Sequence, residues 1–140
     1  MQHGGDEVFA LVIARKEHAG DVGGHQAQQD IVKKAADSAG SALRDVQILR
    51  RDLLRTPLSS LEMKKFDAAV IDPPRSGARL QAEQIARSPV RKVAYVSCDA
   101  GSFARDVKVM IEHGFQLTRV TPVDQFRWSP HVEVVGALER

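Results

Sequence analysis

This chain of 140 residues holds one cysteine, one tryptophan and one tyrosine, and aromatics make up only 5% of it. With Cys98 alone, neither an internal disulfide nor a four-cysteine iron–sulfur site can form. A lone thiol predicts a reducing, cytoplasmic location. No apolar run approaches the ~20 residues of a membrane span, and the polar start does not read as a signal peptide. Net charge is only +2, too small for a strong electrostatic footprint toward nucleic acid. Arg50, Arg51, Arg55, Arg75, Arg79, Arg87, Arg91 and Lys92 are scattered among acids rather than gathered in one run. Repeats and low-complexity tracts are also missing. Gly4-Gly5 and Gly23-Gly24 lack the spacing of a P-loop or dinucleotide turn and read as loops. What is plentiful is apolar content, 43% of residues, enough for the core of one domain.

Chemistry concentrates in three segments. The first is Tyr95-Val-Ser-Cys98, where an alternating, β-prone run ends in the thiol. Asp99 or Ser102 can cap the helix that follows, with Phe103, Val107, Met110 and Ile111 as its apolar face. A thiol at a strand's carboxyl end, beside the positive end of a helix dipole, is placed to act as a nucleophile. A buried structural cysteine is the plainer alternative. The second segment ends an apolar strand at Asp72, followed by Pro73-Pro74, Arg75 and Gly77. Proline cannot donate to a sheet ladder, so the strand stops there and the turn projects beyond the sheet edge. If the two strands are parallel neighbours, Asp72 and Arg75 overhang the same edge as Cys98; alone, Asp72 could be only a turn former. The third segment, between two apolar runs near the C-terminus, gathers Asp124, Gln125, Trp128, His131 and Glu133.

Periodicity predicts an alanine-rich helix over 26–43, strands over 46–49, 67–71 and 92–97, helices over 80–87 and 102–113, and strands over 116–120 and 132–138. A short helix is expected near 59–64. Alternating strands and helices argue an α/β parallel sheet, closed by an antiparallel edge hairpin.

In this order and spacing, the segments resemble the C-terminal catalytic half of the RNA uracil-C5 methyltransferases. Those enzymes make 5-methyluridine in transfer and ribosomal RNA from S-adenosyl-L-methionine. The resemblance rests on Asp72-Pro-Pro-Arg75 with Gly77, on Tyr95-Val-Ser-Cys98 with Phe103-Ala-Arg-Asp106, and on Val123-Asp-Gln-Phe126 with Trp128, Ser129, His131 and Glu133. It runs from about residue 43 to residue 140. It implies the carboxyl half of a Rossmann-like class I methyltransferase fold. It also implies Cys98 as nucleophile, Glu133 as general base, Asp72 at the junction of cofactor and uracil, and Asp52 against the cofactor's adenosine. Arg75 and Gln125 fall on the RNA side, and His131 is structural. Asp52 could equally be a surface acid.

Departures lie at the front. Glu7 stands where the family's second cofactor-turn glycine belongs, and Gly23 where a ribose-binding acid belongs. Ala10-Leu-Val-Ile13 reads as an apolar helix face, and residues 1–24 as a poorly ordered or degenerate cofactor-turn region ahead of a catalytic part over 25–140. The family's first strand, central in the sheet, is expected to be missing, leaving an apolar strand edge open. In the cysteine motif, Asp99-Ala100 replaces a commoner Asn-Pro and sets a negative charge beside the thiol. Full family members are much longer, with an RNA-binding barrel ahead of the catalytic domain, so the length fits a truncated or split chain whose other half resides on a separate polypeptide. Two readings stand: an RNA methyltransferase working through a cysteine adduct, or a non-catalytic remnant or binding module of the same fold. A cysteine hydrolase using Cys98, His131 and Asp124 is the distant third.

Overall fold

Strands β1 (Ala10–Ile13), β2 (Ala68–Ile71), β3 (Lys92–Ser97), β4 (Gln116–Val123) and β5 (Glu133–Glu139) form one sheet in the order β1-β2-β3-β5-β4. The structure, a computed structural model, describes residues 10–13, 53–124, 128 and 132–140. Its strands and helices belong to one compact unit drawn from Met1–Lys16 and Asp52–Arg140. β1, β2 and β3 run parallel, and β5 is antiparallel to both β3 and β4. The parallel crossover is filled by helix α1 (Arg79–Ala86), and helix α2 (Ala100–Glu112) follows β3.

Alternation in the sequence sets the two faces of the sheet. Ala69, Ile71, Val93, Tyr95 and Leu138 are buried on the face that meets Ala82 and Ile85 of α1 and Phe103, Val107 and Met110 of α2. Val70, Ala94, Val96, Val135 and Ala137 alternate onto the other face and are half-buried. Gly136 is the one small residue on the helix face of β5. A side chain there would begin 2.6 Å from the Phe103 ring, which itself stands edge-on to Tyr95 at 5.7 Å between centroids. The segment before β2 is tied down by buried Gln81, whose amide accepts the Leu58 N–H at 2.8 Å and donates to the Leu58 carbonyl at 3.1 Å. Its one-turn 3₁₀ helix, Glu62–Lys65, is opened by Ser59 and Glu62 exchanging hydrogen bonds as a capping box.

Three expectations need correction. Ala10–Ile13 is a strand rather than a helix face, and it fills the outer edge of β2, which was expected to lie open. Four apolar residues satisfy either period, and an unpaired parallel edge favours a strand partner. β4 continues past residue 120 to Val123, because pairing with β5 carries the ladder on to Val123↔Glu133. Pro122 is tolerated there because β4 is an edge strand. Finally, Ile111 of α2 is 46% exposed, lying off the face that Phe103, Val107 and Met110 bury. The helix over 26–43 and the strand over 46–49 fall outside the described residues.

Candidate active site

Three strand ends meet at one edge. β2 ends at Ile71, register partner of Tyr95, so Asp72 leaves the sheet beside Val96 and Ser97. β3 ends at Ser97, partner of Val134, so Cys98 comes off opposite Glu133, the first residue of β5. Within the strands the pleat sorts the faces: Ile71, Tyr95 and Ser97 are buried on the helix side, and Asp72 and Cys98 follow as the first residues past the two strand ends. Glu133, inside β5, obeys the pleat, since Gly136 and Leu138 lie on the helix side. All three are half-buried. The thiol and the two carboxylates therefore belong to residues at one edge of the sheet.

The cysteine turn is fixed from both sides. The Ser97 hydroxyl donates to the Asp99 carbonyl at 2.9 Å and accepts the Asp99 N–H at 3.2 Å, closing a tight loop around Cys98. Asp99 then caps α2, its carboxylate accepting the Ser102 N–H at 2.8 Å. That hydrogen bond, with help from the nearby Arg75 guanidinium, holds the Asp99 carboxyl below the usual aspartate range. The Asp99 charge is thus committed to the helix cap, with Arg75 a smaller favourable influence. Cys98 sits one residue before that cap, at the positive end of the helix.

The turn after Asp72 is equally defined. Gly77 donates to the Pro74 carbonyl at 2.8 Å and holds φ at +78°, a conformation that favours glycine. Arg75 is exposed at the tip. Asp124 and Trp128 are exposed in the β4–β5 connection. Asp52, Gln125 and His131 lie outside the described residues.

Among the described residues no group of three or more His, Cys, Asp or Glu could hold a metal, and no helix is long and apolar enough to cross a membrane. A family model, tRNA (uracil-5-)-methyltransferase, matches residues 25–140. The chain belongs to this family. It is 47% identical, over 97% of its length, to an uncharacterized RNA methyltransferase of Agrobacterium fabrum, covering 32% of that protein. It is 36% identical to the 23S rRNA (uracil(1939)-C(5))-methyltransferase RlmD of Acinetobacter baylyi, over 94% of this chain and 29% of that one. A crystal structure of Pyrococcus abyssi tRNA (uracil-54, C5)-methyltransferase in complex with S-adenosyl-L-homocysteine matches with a TM-score of 0.58 and 27% identity, over 79% of this chain and 26% of that chain. The chain thus spans about a third of the length of these curated relatives. With that match, the sheet with its closing antiparallel pair is the carboxyl half of a class I methyltransferase fold.

One residue at the site was named in the sequence only as part of a motif, with no role. Asp106 is fully buried between the Asp72 turn and the cysteine strand. The signal was available: Asp106 lies three residues after Phe103 and four before Met110, in the middle of α2's apolar face, where an acid needs a reason.

Proposed function

We propose that this chain carries the catalytic end of an enzyme that methylates C5 of uridine in tRNA or rRNA, with S-adenosyl-L-methionine as methyl donor and Cys98 as covalent nucleophile. The observation that carries this reading is the placement of Cys98, Asp72 and Glu133 at one edge of the sheet, all half-buried. Family membership supports it, as does the S-adenosyl-L-homocysteine in the Pyrococcus abyssi relative. The cytoplasm is the compartment that suits a chain relying on a free thiol.

Uracil C5 is a poor nucleophile until C6 gains an electron-rich substituent. The Cys98 thiolate adds to C6, and the electron pair of the C5–C6 double bond moves toward the C4 carbonyl to give an enolate. The bound cofactor supplies a methyl group made electrophilic by its sulfonium. Asp72 fits such a cationic group: it is a half-buried carboxylate at the strand end beside the cysteine strand. Asp52 is proposed on the adenosine side, and Arg75 and Gln125 on the RNA side. Glu133 then takes the C5 proton; the electron pair re-forms the C5–C6 double bond and expels the Cys98 thiolate. One carboxylate per task, on either side of the thiol, is what this sequence of steps requires.

The test joins the chain to the amino-terminal part of a relative and presents 5-fluorouridine RNA with cofactor. Fluorine cannot leave C5 as a proton does, so elimination stalls and a denaturation-resistant protein–RNA adduct accumulates. Cys98→Ala abolishes the adduct. Glu133→Gln permits attack on ordinary uridine RNA but slows release by ~10²–10⁴-fold, trapping the complex. Methylation at a nitrogen or ribose oxygen, undiminished in Cys98→Ala, overturns the reading, and so does an assembled protein that forms no adduct.

A further inference from the structure

Asp106 is fully buried, and no step above uses it. Its Oδ2 accepts the Ala78 N–H at 2.6 Å and the Tyr95 hydroxyl at 2.5 Å. Its Oδ1 accepts Arg105 Nε at 2.8 Å and Nη2 at 2.7 Å. The same Nη2 donates to the Ser76 carbonyl at 2.8 Å. Burial, then the hydrogen bond to Asp106, pushes the Tyr95 hydroxyl far above the ordinary tyrosine range, which keeps it a donor.

Stability alone does not account for a buried carboxylate, because well-packed apolar residues of similar volume are often at least as stable. The placement of its partners does. Ala78 and Ser76 belong to the turn that carries Asp72 and Arg75, while Tyr95, Arg105 and Asp106 belong to the β3–α2 unit that carries Cys98. The contacts to Ala78 and Ser76 thus join the segment bearing the acid to the segment bearing the nucleophile. Gly77 fits the same purpose: a side chain there would run into the Arg105 guanidinium and the Asp106 carboxylate. The turn is drawn in as close as a bare backbone permits.

We propose that Asp106 and Arg105 are positioning residues, which hold the Asp72–Ser76 turn in fixed relation to the Cys98 thiol. This rests on the reading of Cys98 as nucleophile. Displacing a reacting group by about 1 Å costs on the order of 10²-fold in rate, so loosening the turn is expected to slow chemistry while leaving RNA affinity in place.

Arg105→Lys tests this, since its side chain is 45% exposed and lysine keeps the charge while losing the fork that spans Asp106 and Ser76. In the full chain, hydrogen exchange at the Gly77 and Ala78 amides is expected to quicken about tenfold or more, with the amides of α2 unchanged. In the joined enzyme, the 5-fluorouridine adduct forms roughly 10–100-fold more slowly, at an RNA half-saturation within about threefold of the parent's. Unchanged exchange in the turn overturns the inference. So does a loss confined to RNA affinity, which would make Arg105 a phosphate contact. A parent that forms no adduct removes the nucleophile reading and this inference with it, whereas an active parent matched by Arg105→Lys removes the positioning role alone.

Discussion

Asp99, the neighbour of Cys98, puts its charge to local use. Its carboxylate caps α2 through the Ser102 N–H and lies near Arg75. Its folded pKa is depressed, so the stability it contributes is fully present above the unfolded value of about 3.8 and is lost as pH falls through the lower folded value. Asp99→Ser keeps a capping oxygen but removes the charge. The expected outcome is a thermal midpoint that falls less steeply with acid than the parent's through that window, in calorimetry at stepped pH. Equal slopes would mean that the carboxylate adds nothing beyond the cap.

Among the elements, α1 ends without a basic residue in its last turn, and Arg140 supplies the missing charge from far along the chain. Its guanidinium donates to the carbonyls of Val90 at 2.9 Å and Ala86 at 2.8 Å, reaches those of Ser88 and Ile85, and stacks 4.2 Å from the Phe115 ring centroid. Cations near helix C-termini are favourable, and a forked donor satisfies several carbonyls at once. Arg140→Ala is expected to lower stability by about 1–2 kcal/mol in urea titration, with Arg140→Lys recovering only part of the loss. This contact was not legible in the sequence, because nothing local links residue 140 to α1. The elements themselves were more readable. β3 announced itself by strict alternation, α2 by its cap and apolar spacing, and the stop after β2 by Pro73-Pro74. Asp72 and Cys98 could be named as candidates because each sits at the end of an apolar run, and Glu133 because it enters one and matches the family motif. That they share one edge required the register, which the sequence does not print. Ala10–Ile13 was misread for the same reason, since only its partner strand decides its period.

At the scale of the whole molecule, the two halves of the sheet are built from contacts of very different reach. β4 and β5 are consecutive and pair across a short connection, and β3 joins them after a single helix. β1 instead reaches its partner only from the far side of residues 14–67, with Ala10 matched to Ala68. Val12→Pro places a residue without a backbone donor, and with a fixed φ, in the middle of that strand. It is expected to speed hydrogen exchange in β2 about tenfold while leaving β3 and β5 protected; uniform loss across the sheet would show that β1 belongs to the common cooperative unit.

The long reach of β1 also sets an order in time. Closing a long loop has an entropic cost that short-range pairs do not meet, so β3, β5, β4 and α2 can assemble while β1 is still searching. On a ribosome, Ala10–Ile13 emerges first among these strands and waits longest for its place. Until Ala68–Ile71 follows, those four apolar residues lack the strand they pair with here, and a chaperone would meet them before the other strands of this sheet.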